Sequence, residues 1–233
     1  MSFSVVIICR DEEKYIGRCI DSVIGLSDDI IIIDTGSVDA TVDIVKSYPV
    51  KLQQIDWMGY GATKNYGTSL AKYDWILSID ADEIVSEELH HSILSKALQT
   101  GHIYGLRRVN YVADRAMNYS HLKPEIKPRL FHKEAYQWDT QPVHERLTPS
   151  VTKSKTTILK GDLLHFYICD LGELQEKYDH YAKLSVKQSS SSILGPTYYF
   201  IKSYILQLGI LEGNIGLRLA LLFSQYKKLK NNQ

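Results

Sequence analysis

Cysteine is sparse: Cys9, Cys19 and Cys169 are the only three in 233 residues, with no CxxC pair among them. That excludes a disulfide framework and a zinc-finger spacing, and it fits a reducing compartment. Neither sign of charge is in excess, since 27 Lys and Arg meet 27 Asp and Glu. A nucleic-acid partner, which needs a basic footprint, is therefore not expected. No apolar run reaches the ~18 residues of a membrane-spanning helix. A secretory signal is not expected either: Met1 to Cys9 is too short for one, and charge follows from Arg10 to Lys14. Phenylalanine is scarce, five residues against 16 tyrosines, so the aromatic surface carries polar tips that suit grooves and interfaces. No internal repeat is present.

What is there is a run of short apolar segments separated by helical patterns. Ser4 to Cys9 reads as a strand covered on both faces. Asp11-Glu12-Glu13 then opens a helical stretch with Ile16, Ile20, Val23 and Ile24 on one face. Asp29 to Ile33 is a second strand, followed by a helix expected from Ser37 or Val38 to Ser47. Val50 to Ile55 and Asp74 to Ile79 are the third and fourth strands, with a glycine-punctuated helical segment, Gly59 to Ala71, between them. Strand and helix alternating in this way predict a parallel sheet with right-handed crossovers. Ligands of such sheets bind beyond the carboxyl ends of the strands. Arg10-Asp11, Asp34-Thr35-Gly36 and Asp80-Ala81-Asp82 all fall there. The middle of the chain reads as further strands over 103–112, 127–132, 143–147, 156–159 and 163–166, and the pattern turns helical after Asp170.

The richest segment is Trp75-Ile76-Leu77-Ser78-Ile79-Asp80-Ala81-Asp82-Glu83. On an extended chain, residues two apart share a side, so Asp80 and Asp82 could hold one hard cation and, through it, a phosphorylated substrate. The competing reading is a solvated acidic turn before a helix that starts near Ser86.

These motifs in this order, together with Lys127-Pro128-Arg129-Leu130-Phe131, Val143-His144-Glu145-Arg146 and Leu164-His165-Phe166-Tyr167, resemble glycosyltransferase family 2 over almost the whole chain. The later segments are similar to the branch of lipopolysaccharide-core glucosyltransferases acting on heptose. The resemblance implies a GT-A fold: a Rossmann-like, mostly parallel sheet with helices on both faces, spanning residues 1–168. Residues 169–233 would be a helical extension. It implies that Asp11 and Asp34 bind the uracil and ribose of a UDP-sugar donor, with Thr35, Gly36 and Ser37 shaping that loop. Lys64 would reach a phosphate or stay a surface lysine, and Arg129 would face the diphosphate or solvent. Asp82, most directly, and Asp80 would bind Mg²⁺ or Mn²⁺, Asp80 also holding the donor ribose, and His165 would complete that site or be a core histidine. Glu145 is favoured as the base that deprotonates the acceptor, with Asp139 as the alternative, and His144 would orient acceptor or phosphate. Glu83 would support the site or begin the next helix.

The expected function is inverting transfer of a hexose, glucose from UDP-glucose in first place, to a bacterial surface glycan or lipid-linked saccharide. Alternatives are a peptide side-chain acceptor, or a sugar-nucleotide-binding protein without turnover. A nucleotidyltransferase is disfavoured because Cys9 to Glu13 contains no glycine. A receiver domain is disfavoured because the paired acids follow the fourth strand. The apolar, tyrosine-rich segment Tyr198 to Tyr226 and the basic tail after it predict either contact with a membrane surface or packing on this chain or a second subunit. The expected location is cytoplasmic, free or on the inner face of the inner membrane.

Overall fold

The computed structural model describes residues 2–141, 145–150, 155–168 and 195–231, with positions 172, 174, 175 and 178 between them. The chain divides into two compact units. One comprises Met1–Arg108 and Ile126–His165, and the other Val109–Glu125 and Phe166–Gln233. The sequence pattern had assigned only the carboxy-terminal segment to a second unit; the structure adds the excursion from Val109 to Glu125.

In the first unit, β1 (Ser4–Cys9), α1 (Ile16–Val23), β2 (Ile30–Asp34), α2 (Thr41–Lys46), β3 (Lys51–Gln54), α3 (Tyr60–Ser69) and β4 (Trp75–Asp80) alternate as expected. β5 (Glu83–Val85) and α4 (Glu87–Ser95) follow, and then β6 (His102–Val112), β7 (Arg115–Ala116), β8 (Glu125–His132), β9 (Tyr136–Trp138), β10 (Leu147–Pro149) and β11 (Lys155–Ile168). The main sheet runs β3-β2-β1-β4-β8-β6-β11-β5, with β7 beside β6 and a separate β9–β10 hairpin. β3, β2, β1 and β4 are mutually parallel, whereas β8 joins β4 antiparallel and β5 joins β11 antiparallel.

Every residue of β1 and β2 is buried, which is why both read as continuous apolar runs. Alternation divides them between two cores. Val5, Ile7, Ile30 and Ile32 pack with Ile16, Cys19 and Ile20 of α1 and Leu89 and Ile93 of α4. Val6, Ile8, Ile31 and Ile33 pack on the other face, where Tyr60 and Tyr66 of α3 lie. Gly67 permits that close helix: a Cβ there would stand 2.5 Å from Val6 Cγ1. Helices therefore cover both faces of the parallel half.

Register fixes where the polar strand ends fall. Cys9 is level with Asp34, Ile8 with Asp80, and Asp34 with Gln54, so the three predicted clusters do share one rim. At the opposite edge a buried carboxylate ties the strands together. Asp29 accepts from Ser4 Oγ at 2.5 Å, from Lys51 Nζ at 2.7 Å and from the Lys72 amide at 2.8 Å.

Three expectations are corrected. The helix after β2 begins at Thr41, not Ser37, because the amides of Gly36, Ser37, Val38 and Ala40 donate to the side chains of Asp34, Asp11 and Glu13. Residues 156–159 and 163–166 are one strand, β11, passing through Gly161 at φ 90°. The strand expected over 143–147 is in part outside the described residues; the segment forming a strand there is Leu147–Pro149.

Replacing Asp29 by Ala strands the Ser4 hydroxyl and the Lys72 amide inside the protein and should cost about 2 kcal/mol in urea-induced unfolding. The exposed Asp28→Ala control should change far less.

Candidate active site

The extended alternation that makes Asp80 and Asp82 point the same way stops at Ala81 and Asp82, which form a turn between β4 and β5. Asp80 and Asp82 consequently take different partners. Asp80 Oδ1 lies 2.8 Å from Lys64 Nζ, and Oδ2 lies 2.5 Å from Arg129 Nη2. Asp82 Oδ2 lies 3.2 Å from His165 Nε2. Strand pairing explains the second contact: β11 sets His165 opposite Glu83, the residue after Asp82.

Glu83 is no helix-start acid. It opens β5, is fully buried, and accepts the Asp80 amide at 3.0 Å and Arg129 Nη2 at 2.6 Å, with Arg108 Nη1 at 3.4 Å. The helix-start role belongs to Ser86, whose hydroxyl accepts the Leu89 amide, with Glu87 and Glu88 in the first turn.

Lys64 and Arg129 are not surface cations. Lys64 is 1% exposed and Arg129 4%. A buried cation without a partner is costly, and each here has two carboxylates. Lys64 also reaches Glu145 Oε1 at 2.5 Å and sits 4.7 Å above the Trp138 ring. Its place on α3 follows from two flanking features. Gly61 lets α3 approach the β9 turn, since a Cβ there would be 1.7 Å from the Asp139 carbonyl oxygen. Asn65 clamps the same turn, donating to the Trp138 carbonyl at 2.8 Å and accepting its amide at 2.9 Å.

Burial by itself would raise the pKa of Asp80, but Arg129 and Lys64 outweigh it and hold the carboxyl well below the usual carboxylate range. For Arg129, burial is outweighed by Asp80 and Glu83, so the guanidinium stays charged. The Cys19 thiol is pushed well up by burial first and then by Glu83, Asp82 and Asp80, so it is inert.

The other predicted residues divide. Asp139 accepts the Arg146 amide at 3.0 Å and the Gln141 amide at 3.4 Å, which makes it the cap of the hairpin turn, while Glu145 faces the cluster. Asp34 is buried, its carboxylate held by the Gly36 and Ser37 amides, the Ser37 hydroxyl and Gln54 Nε2. Thr35 donates to the Cys9 carbonyl, and Gly36 turns at φ 95°. Asp11, at φ 54°, accepts the Val38 amide at 2.8 Å. These four shape the loops at the strand ends. His144 lies outside the described residues.

Sequence reasoning missed Arg108, Asn65 and Trp138. Arg108 interrupting the apolar β6 was one available signal, and the place of Asn65 directly after Lys64 in the glycine-punctuated segment was another. Tyr60 was also missed; its hydroxyl pKa is raised by burial and then by Glu145, Asp80 and Asp82.

Among the described residues no three His, Cys, Asp or Glu side chains cluster tightly enough to hold a metal alone. The Asp82–His165 pair nonetheless fits a divalent cation, offering an oxygen and an imidazole nitrogen that suit Mn²⁺. Mg²⁺ too is commonly held by one or two protein ligands and completed by substrate phosphates and water. Lys64, Arg108 and Arg129 pair with Asp80, Glu83 and Glu145, whereas Asp82 faces His165.

Arg129→Gln leaves the buried Glu83 with the Asp80 amide and the more distant Arg108, and should lower stability by roughly 3–5 kcal/mol in denaturant unfolding. The depressed Asp80 pKa gives a pH signature. Its folded value lies below the ordinary 3.8, so its contribution is complete above that pH and lost as pH falls through the folded value. In Arg129→Gln this acid-dependent loss should shrink, as read from unfolding midpoints between neutral and acid pH.

The family model for glycosyl transferase family 2 matches residues 4–150. The lipopolysaccharide core biosynthesis glycosyltransferase LpsC of Rhizobium meliloti is 29% identical over 223 residues, covering 88% of this chain and 81% of LpsC. The glycosyltransferase RT0209 of Rickettsia typhi is 41% identical over 90 residues, 39% of this chain and 31% of that protein. Among solved structures, glucosyl-3-phosphoglycerate synthase from Mycobacterium tuberculosis, in complex with Mn²⁺, UDP and phosphoglyceric acid, overlaps loosely. That match has a TM-score of 0.36 and 21% identity over 48% of this chain and 43% of that one. With the model match extending over well more than half its length, the chain belongs to glycosyl transferase family 2.

Proposed function

We propose that this enzyme transfers a hexose from a uridine diphosphate sugar, UDP-glucose in first place, to a saccharide acceptor of the lipopolysaccharide core, with inversion at the anomeric carbon. The observation that carries the reading is the Lys64 bridge. One buried ammonium touches Asp80, at the end of β4, and Glu145, beyond the β9 hairpin strand. A donor-side carboxylate and an acceptor-side carboxylate are thereby coupled through one cation. The likeness to LpsC, a protein of lipopolysaccharide core biosynthesis, supports the acceptor class.

In this reading the first unit performs the chemistry. Asp11, Asp34, Thr35 and Gly36 form the loops against which the nucleoside packs, with Asp34 setting loop shape rather than presenting a free carboxylate. Asp82 and His165, with Asp80 nearby, would hold Mg²⁺ or Mn²⁺, which when bound stabilises the negative charge gathering on the departing diphosphate. Arg129 and Lys64 add fixed positive charge beside Asp80, in a site that needs no reorganisation as charge develops. Glu145 takes the proton of the acceptor hydroxyl as its oxygen bonds to the anomeric carbon, while the bond to the diphosphate breaks on the opposite face. Lys64 orients that carboxylate. Asp139, with Oδ1 held by the amides of Gln141 and Arg146, serves the turn in this reading.

The test is turnover of UDP-glucose with truncated lipopolysaccharide cores as acceptors. Glu145→Gln should lower kcat by about 10²–10⁴-fold, the usual worth of a general base, with donor affinity retained. Asp139→Asn should lower kcat far less than Glu145→Gln does. Loss of turnover in Asp139→Asn with near-normal Glu145→Gln would exchange the two roles.

A further inference from the structure

The second unit is turned inside out along one stretch. Helix α5 (Gly195–Ile201) runs into a π-helical turn (Lys202–Leu206) and a 3₁₀ turn (Gly209–Glu212), before α6 (Asn214–Asn231). Ile205, Leu206, Leu208, Ile210 and Leu211 are 48–68% exposed, whereas Ser203 and Glu212 are buried. A single exposed leucine is ordinary, but five large apolar side chains within seven residues form a patch.

The backbone holds this arrangement from beneath. Glu212 accepts Arg115 Nη2 at 2.8 Å and the amides of Asn118 and Tyr119 at 2.9 Å each. Gly216 brings α6 into backbone contact with the 3₁₀ turn, since a Cβ there would be 1.8 Å from the Gly209 carbonyl oxygen. Leu208 takes φ 56°, a conformation costly for a leucine, and it turns the chain so that its neighbours face outward. The unit has its own core, with Met117, Leu122, Leu219 and Tyr226 among its buried members, so these residues are not left outside for want of one.

Charge identifies the occupant. From Gly195 to Gln233 the only acidic residue is Glu212, which is buried and spent on Arg115. The basic residues of that stretch are Lys202, Arg218, Lys227, Lys228 and Lys230. Tyr198, Tyr199, Phe200 and Tyr204 adjoin the patch, the residue types that favour the water–hydrocarbon boundary of a bilayer. A second copy of this chain would set one cationic surface against another in a two-fold interface, which is repulsive. No helix among the described residues is long and apolar enough to cross a membrane. We propose that this surface docks on an anionic lipid bilayer, with the tip Ile205–Leu211 entering the interfacial zone and the basic residues meeting acidic headgroups.

The test is co-sedimentation of the full chain with vesicles of phosphatidylcholine alone or containing about a third phosphatidylglycerol. The wild type should bind the anionic vesicles at least about tenfold more tightly, and less tightly as salt rises. The double substitutions Leu206→Ser with Leu211→Ser, and Lys202→Glu with Arg218→Glu, should each lower that affinity about tenfold. Circular dichroism and sedimentation velocity run alongside. If the leucine pair disturbs folding, the charge pair, an exposed Arg218 and a half-buried Lys202, carries the test. Equal or absent binding to both vesicle types overturns the proposal. So do variants that bind like the wild type, and so does a dimer that the leucine variant dissolves without any lipid binding, which would make the patch a self-association surface.

Discussion

The ammonium of Lys64 is buried between two carboxylates that arrive from distant parts of the sequence, and the arrangement of the first unit depends on satisfying it. An unpaired cation at 1% exposure would cost several kcal/mol. The fold must therefore hold Asp80 and Glu145 within reach at once. Asp80 comes from the end of a buried parallel strand and Glu145 from beyond the β9 turn. Gly61 and Asn65 on α3 are what bring that turn close enough. Arg129 repeats the arrangement between Asp80 and Glu83, so Asp80 joins two ion pairs into one network.

That network explains why the site is legible as chemistry rather than as an acidic turn. A solvated turn would leave its carboxylates in water and its neighbouring cations exposed. Here Glu83, Lys64 and Arg129 are buried, while Arg108, Asp80, Asp82 and Glu145 retain partial access. Binding a phosphorylated ligand through a divalent ion would redistribute charge within a set already close to balance.

Much of the fold could be read from the chain because its central strands are covered on both faces. Ser4 to Cys9 and Ile30 to Asp34 admit no polar alternation, and the Asp-rich ends follow from strand polarity. What could not be read was governed by contacts distant in sequence. Gly161 looked like a break between two strands, yet it continues one; a side chain there would meet the Leu89 amide at 2.2 Å, so the glycine serves the approach of α4. Ser37 or Val38 looked like the start of a helix, yet the hydroxyl and amides of that loop are drawn to Asp34 and Asp11. Lys64 and Arg129 could not be separated from surface cations because burial of a charge depends on partners that periodicity does not reveal. Asp80 and Asp82 misled in the opposite way: spacing suggested one shared ligand, whereas a turn after Asp80 sends them to different partners.

The central claim is that the rim carrying Asp80, Asp82 and His165 is a nucleotide-sugar site assembled around a divalent cation. Calorimetric titration of UDP, with GDP as control, in Mn²⁺ and in EDTA, on the wild type and Asp82→Asn, addresses it most directly. The account predicts uracil-selective binding that requires the metal and weakens in the variant. Absence of UDP binding in every condition, or binding indifferent to both metal and Asp82, would contradict it.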